Sequence, residues 1–169
     1  MSYLSYRYRN NKKQSALKHL VSVNIFIFYY YNFYIWKLIK STGVDLNSQF
    51  PANWELGKKI KSNLGFNKPA PRDFAGESPL SEPESQSMYN FTLLKNFSLC
   101  LCFHSQGEVI YWKYTDFLPP NSLELAKEFA HVSGYELEDT PYTSSFGGFR
   151  DWFIKNFNKP GFTIEVRKR

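Results

Sequence analysis

A chain of 169 residues, 43% of them hydrophobic, fits one domain that buries on the order of 70% of its unfolded surface. The formal charge of +6 suits any polyanion, but the basic residues gather near the ends, in Arg7, Arg9, Lys12, Lys13 and Lys18 and then in Arg167, Lys168 and Arg169. Such clusters read as solvated terminal charge, and with no nucleic-acid-binding motif beside them a nucleic-acid partner is not expected. Cys100 and Cys102, one residue apart on one strand, cannot reach disulfide geometry, which argues against a stapled secreted scaffold and favours a reducing, cytoplasmic setting.

In chain order, the first departure from an ordinary domain is the aromatic block between Val21 and Ile39, where Phe, Tyr, Ile, Asn and Lys dominate. Two readings stay open for it. It is a stretch foreign to the domain, translated from AT-rich DNA in an unrelated frame, or it is a membrane-associating segment. Asn24 and Asn32 interrupt the apolar run, and no small-residue cleavage site follows. Residues 1–40 are therefore set apart as an atypical aromatic and basic segment, and the domain proper is expected to run over 41–169.

From Gly43 onward, turn chemistry separates periodic segments. Residues 67–83, rich in Pro, Ser and Gly, read as a long loop of the kind that borders a site. Ser81-Glu82-Pro83-Glu84 reads as a capping box, opening a helix with Met88, Phe91 and Leu94 on one face. Phe97 to Phe103, apolar apart from Ser98, reads as a strand buried on both faces. Asn121 to Gly134 is a second helix, with Leu125, Phe129 and Val132 inward. A third covers Phe149 to Phe157, and Asn158-Lys159-Pro160-Gly161 turns the chain into a last strand. This order predicts an α/β fold with a partial mixed or mainly parallel sheet covered by helices.

Strand alternation puts Cys100, Cys102 and His104 on one face and Leu99, Leu101 and Phe103 on the other. A Cys-x-Cys-x-His metal site fits that pattern, although buried neighbouring thiols more often pack as small apolar groups. His104 lies where the strand ends, and in open α/β sheets ligands bind beyond the carboxyl ends of the strands. Glu165 ends its own strand in Phe162-Thr163-Ile164-Glu165-Val166, where an ionised carboxylate needs solvent, a partner or a function. The two together form a candidate zinc peptidase pair.

The segments Gly43-Val44-Asp45-Leu46-Asn47, Ser81-Glu82-Pro83-Glu84, Phe103-His104-Ser105-Gln106-Gly107 and Phe162-Thr163-Ile164-Glu165-Val166 follow one another in an order that resembles zinc carboxypeptidases of the carboxypeptidase A type. The resemblance covers about Trp36 to Val166, the C-terminal part of such a domain. Asn47 to Trp54, Pro69 to Phe74 and His104 to Trp112 are more narrowly similar to bacterial γ-D-glutamyl-diamino acid endopeptidases, which cut peptidoglycan stem peptides. The resemblance implies zinc as cofactor, His104 as the third zinc ligand and Glu165 as general base. The metal would bring the pKa of its water to roughly 7. It further implies that Asn47 helps hold a substrate carboxylate and that Tyr142 stands near the family's mobile tyrosine. Ser48 occupies a place where exopeptidase members carry arginine, a departure that suits an endopeptidase.

No H-x-x-E ligand pair precedes His104, since His19 is followed by Leu-Val-Ser, and the first two zinc ligands have no counterpart. The sequence also ends four residues after Glu165, where the family's fold continues. The expectation is an incomplete catalytic domain, inactive alone, whose N-terminal half is missing. The competing reading is a non-catalytic, membrane-associated or binding protein that uses residues 21–39.

Overall fold

A computed structural model describes residues 25–29, 42–105 and 107–166. The terminal basic clusters, most of the aromatic block and Gln106 lie outside the described residues. Strands β1 (Ile25–Tyr29), β2 (Leu99–His104), β3 (Val109–Tyr111), β4 (Glu136–Glu138) and β5 (Gly161–Glu165) form one sheet in the order β1-β2-β5-β3-β4. The pairings β1 to β2, β2 to β5 and β3 to β4 are parallel, and β3 runs antiparallel to β5. The sheet is thus mixed. Within the aromatic block, residues 25–29 add a strand alongside β2, with Ile25 opposite Leu99 and Tyr29 opposite Phe103. Among the described residues no helix is long and apolar enough to cross a membrane.

Among the described residues four α-helices accompany the sheet: α1 (Trp54–Asn63), α2 (Pro83–Leu94), α3 (Ser122–Ser133) and α4 (Phe149–Phe157). The strand alternation read from the sequence holds. Cys100 and Cys102 pack into a cluster with Phe149, Trp152, Phe153 and Ile154 of α4, against which Met88 and Tyr89 of α2 also lie. Leu99 and Leu101 face the other way, into a cluster with Ile110, Phe162, Ile164 and Ala126 of α3. Each face of β2 is therefore covered, as its unbroken apolar run requires. The face that carries Cys100, Cys102 and His104 is the one beneath α4.

Helix α4 has the bounds its aromatic pattern predicts, and α3 stops at Gly134, whose φ of 80° is left-handed and natural to glycine. Two stripes differ from expectation. In α2 the buried residues are Ser85 and Thr92, while Phe91 and Leu94 are exposed, so the inward face is rotated from the predicted one. In α3 Val132 is exposed and Ala126 and Ala130 lie inward with Leu125 and Phe129. The capping box at Ser81 does not form. Glu82 is the N-cap and makes no side-chain cap bond, and the Ser81 hydroxyl shares its one hydrogen between Gln49 Oε1 at 3.0 Å and Glu82 Oε1 at 2.9 Å. Helix α1 was not predicted, and neither were the short strands β3 and β4, whose three residues each are too few for a period to register.

Candidate active site

β2 and β5 are adjacent and parallel, and their register sets His104 directly opposite Glu165. Both face the α4 side, because Glu165 is in phase with Gly161 and Thr163 while Phe162 and Ile164 enter the α3 cluster. His104 Nδ1 lies 3.9 Å from Glu165 Oε1, with side-chain exposures of 21% and 15%. That distance exceeds a hydrogen bond. Burial, and after it the positive charge of Arg150, lower the His104 pKa to about 4, with Asp45 pulling the other way. The imidazole is neutral near pH 7 and offers a lone pair, the form in which histidine binds a metal.

The turn that follows β2 comes close to this pair. Gly107 has φ 151°, and a Cβ there would sit 3.2 Å from Glu165 Cβ. Glycine is required both by that backbone conformation and by the approach. Just past the pair, Val166 N–H donates to the His104 carbonyl at 2.9 Å, extending the ladder.

Asn47 lies in a 3-10 turn, Leu46–Ser48, and its N–H donates to Asp45 Oδ1 at 3.0 Å. The chain just after it is fastened to the start of α4: Phe50 N–H donates to the Gly147 carbonyl and Gly147 N–H to the Ala52 carbonyl, each at 2.9 Å. Asp45 is near enough to His104 for its charge to act there. The fold thus gathers the Asp45 to Asn47 turn, the start of α4, His104 and Glu165 in one region. Tyr142 stands apart on an exposed 3-10 turn, Tyr142–Ser144, its ring 5.2 Å from that of Phe146 and edge-on to it.

Sequence reasoning missed Arg150 and Asp151, a charged pair in the first turn of α4. Both are buried. Arg150 Nε donates to Asp151 Oδ1 at 3.0 Å, Nη2 donates to the same oxygen, and Nη2 also donates to Thr140 Oγ1 at 3.0 Å. Asp151 is the third residue of α4 and accepts from the Gly148 N–H, capping the helix. No local signal marked them, since Phe149, Trp152, Phe153 and Phe157 carry the apolar period and leave 150 and 151 where polar residues are ordinary.

Family comparison agrees with this arrangement: the zinc carboxypeptidase model matches residues 3–169. The chain belongs to the zinc carboxypeptidase family. Among characterised proteins, γ-D-glutamyl-L-diamino acid endopeptidase 1 of Lysinibacillus sphaericus is 44% identical over 135 residues, which are 80% of this chain and 32% of that protein. The uncharacterized protein YqgT of Bacillus subtilis (strain 168) is 43% identical over 137 residues, 81% of this chain and 35% of that one. Human mast cell carboxypeptidase A is 30% identical over 147 residues, 77% of this chain and 33% of that one. This zinc carboxypeptidase chain spans about a third of the length of these relatives. Carboxypeptidase A from Helicoverpa armigera has the same fold, with a TM-score of 0.58 at 24% identity over 75% of this chain and 33% of that chain.

The family name implies zinc, and the described residues answer to it in part. His104 is a neutral imidazole donor beside a carboxylate. Among the described residues, however, no group of three or more His, Cys, Asp and Glu side chains is placed to hold a metal ion. His131 belongs to α3, which covers the opposite face of the sheet from His104. The described residues therefore supply one metal donor, short of the three protein ligands a catalytic zinc requires.

Proposed function

We propose that this chain carries the general base and one metal ligand of a zinc peptidase that hydrolyses γ-D-glutamyl-diamino acid peptides derived from peptidoglycan. The observation that carries the reading is the register of β2 and β5, which holds neutral His104 beside Glu165 at the carboxyl end of two parallel strands. Zinc, held by His104 together with further ligands, would supply a polarised scissile carbonyl and an acidified water. Glu165 takes the proton from the attacking water and returns it to the leaving amine, a role typically worth about 10² to 10⁴ in rate. His104 stays neutral and offers a nitrogen lone pair to the metal. Asn47, on the turn fastened to the start of α4, holds a substrate carboxylate, and Tyr142, on its exposed turn, closes over the bound peptide. The substrate class is carried by the similarity to the Lysinibacillus endopeptidase. The membrane-associated reading is not favoured, since residues 25–29 form a strand of the sheet.

The test combines zinc content of the purified chain with hydrolysis of a γ-D-glutamyl-diaminopimelate peptide in excess zinc. With one donor among the described residues, weak zinc uptake is expected. Glu165→Gln should abolish turnover while leaving zinc content unchanged, and His104→Ala should lower zinc content. Turnover that survives Glu165→Gln would overturn the reading, and a chain that takes up no zinc and cleaves nothing would show that these residues do not make a working site by themselves.

A further inference from the structure

Asn47 sits on a turn that is held from elsewhere in the chain. Its N–H donates to Asp45 Oδ1 at 3.0 Å, and the other oxygen of that carboxylate, Oδ2, accepts from the Asp73 N–H at 2.9 Å. Asp73 belongs to the loop of residues 67–83. Its own Oδ1 accepts from Lys61 Nζ of α1 at 2.7 Å. A continuous chain of polar contacts therefore runs from α1, through the loop, to the turn that bears Asn47. Asp45, at the near end, also acts by its charge on His104.

Three observations mark this chain as more than surface ion pairing. Lys61 is only 9% exposed, and lysine is seldom buried unless it is paired, so its bond to Asp73 is screened far less than an exposed one. Arg72 makes the contrast: its Nε lies 3.3 Å from Asp73 Oδ2, but its side chain is 79% exposed and adds little. Asp73 itself holds a left-handed φ of 67°, a conformation that costs a non-glycine residue free energy and persists where its surroundings over-determine it. Finally, the loop is pressed onto the segment that carries Asp45. Ala70 N–H donates to the Gly43 carbonyl at 3.1 Å and Asp45 N–H to the Phe74 carbonyl at 2.8 Å, and a Cβ at Gly43 would come within 2.6 Å of Pro69 Cβ.

The turn needs such support. Leu46–Ser48 is a single 3-10 turn, closed by Ser48 N–H on the Asp45 carbonyl at 2.9 Å. So short a turn has few bonds of its own with which to fix a side chain to the tolerance that ligand binding requires.

We propose that Lys61 and Asp73 are positioning residues for the substrate: their ion pair seats the loop on Asp45, and Asp45 in turn presents the Asn47 amide to a substrate carboxylate. The inference rests on the reading above, in which Asn47 holds that carboxylate, and it assigns two residues of α1 and the loop that act through Asn47.

Titration calorimetry of the full chain in zinc-free buffer tests this, with γ-D-glutamyl-diaminopimelate and the same peptide fully amidated as probes. The quantity read is the ratio of the two dissociation constants. Partial unfolding scales both constants alike, so the ratio reports how Asn47 is held and not how much of the chain is folded. The acid should bind at least about 10-fold more tightly than the amide, and Asn47→Ala should remove most of that preference. Lys61→Met and Asp73→Ala should each lower it by about 3- to 10-fold, and the double variant should lose no more than either alone. Lys61→Arg, which keeps a cation for Asp73, should retain it. A preference abolished by Asn47→Ala but untouched by Lys61→Met and Asp73→Ala would overturn the proposal and leave the reading of Asn47 standing. Equal affinity for the two probes in the unaltered chain, or no binding at about 1 mM, would overturn both.

Discussion

The His104 side chain is held neutral by burial, with Glu165 Oε1 3.9 Å from its Nδ1. This has a consequence for stability in zinc-free buffer. With a pKa near 4 in the fold against about 6.5 in the unfolded chain, the unfolded state binds more protons between those values, so stability falls as pH drops from about 6.5 to about 4. The loss amounts to about 3 kcal/mol for this one group, an order-of-magnitude figure. Urea midpoints measured across that range should show the slope, and His104→Asn should flatten it; an identical slope in the variant would assign the effect elsewhere. His104 and Glu165 were legible as residues because a polar group ending an apolar strand is conspicuous. Arg150 was not singled out, since nothing local tells a buried guanidinium from one lying on the solvent side of a helix.

Among the elements, the loop of residues 67–83 is fastened at Asp73 by Asp45 and Lys61 and, nearer its end, by Gln49. Gln49 is fully buried; its amide donates to the Ala75 carbonyl at 2.5 Å, and its Oε1 accepts from Ser81 N–H at 2.7 Å, Ser81 Oγ at 3.0 Å and Glu82 N–H at 3.2 Å. Leu80 N–H adds a bond to the Gln49 carbonyl at 2.8 Å. Gln49 thereby replaces the capping box as the device that starts α2. Gln49→Ala would leave several buried donors unserved, with an expected cost of about 2 to 4 kcal/mol, and amide exchange should speed up first in residues 74–82 and the start of α2. Uniform acceleration across the chain would show that the clamp is not local. A sequence reading could not find this clamp because its partners lie some thirty residues from Gln49.

For the molecule as a whole, the aromatic cluster between α4 and the sheet is the fastening that keeps the start of α4, and so Arg150, against β2 and β5. Trp152 is 2% exposed, with ring centroids 4.6 Å from Tyr89, 5.8 Å from Phe50 and 5.5 Å from Phe157. Trp152→Ala should cost about 3–5 kcal/mol of stability, read by thermal or urea unfolding. A loss under about 1 kcal/mol would mean that α4 is seated by its other contacts. The exposed Leu94 at 83% and Val132 at 65% mark where helical spacing misled: a period identifies an apolar stripe but not which stripe finds a neighbour.

What the sequence determined alone is what local chemistry and periodicity control: the bounds of α4, the Gly134 stop, the alternation along β2, and the polar residues His104 and Glu165 at two strand ends. Ordered motifs added the family, which the match over residues 3–169 bears out. Only the tertiary structure decided that β2 and β5 are neighbours in parallel register, since strand pairing joins residues some sixty positions apart and leaves no local trace. Only it buried Arg150 and Asp151 in the first turn of α4, because burial of a charge depends on what the rest of the chain packs around it.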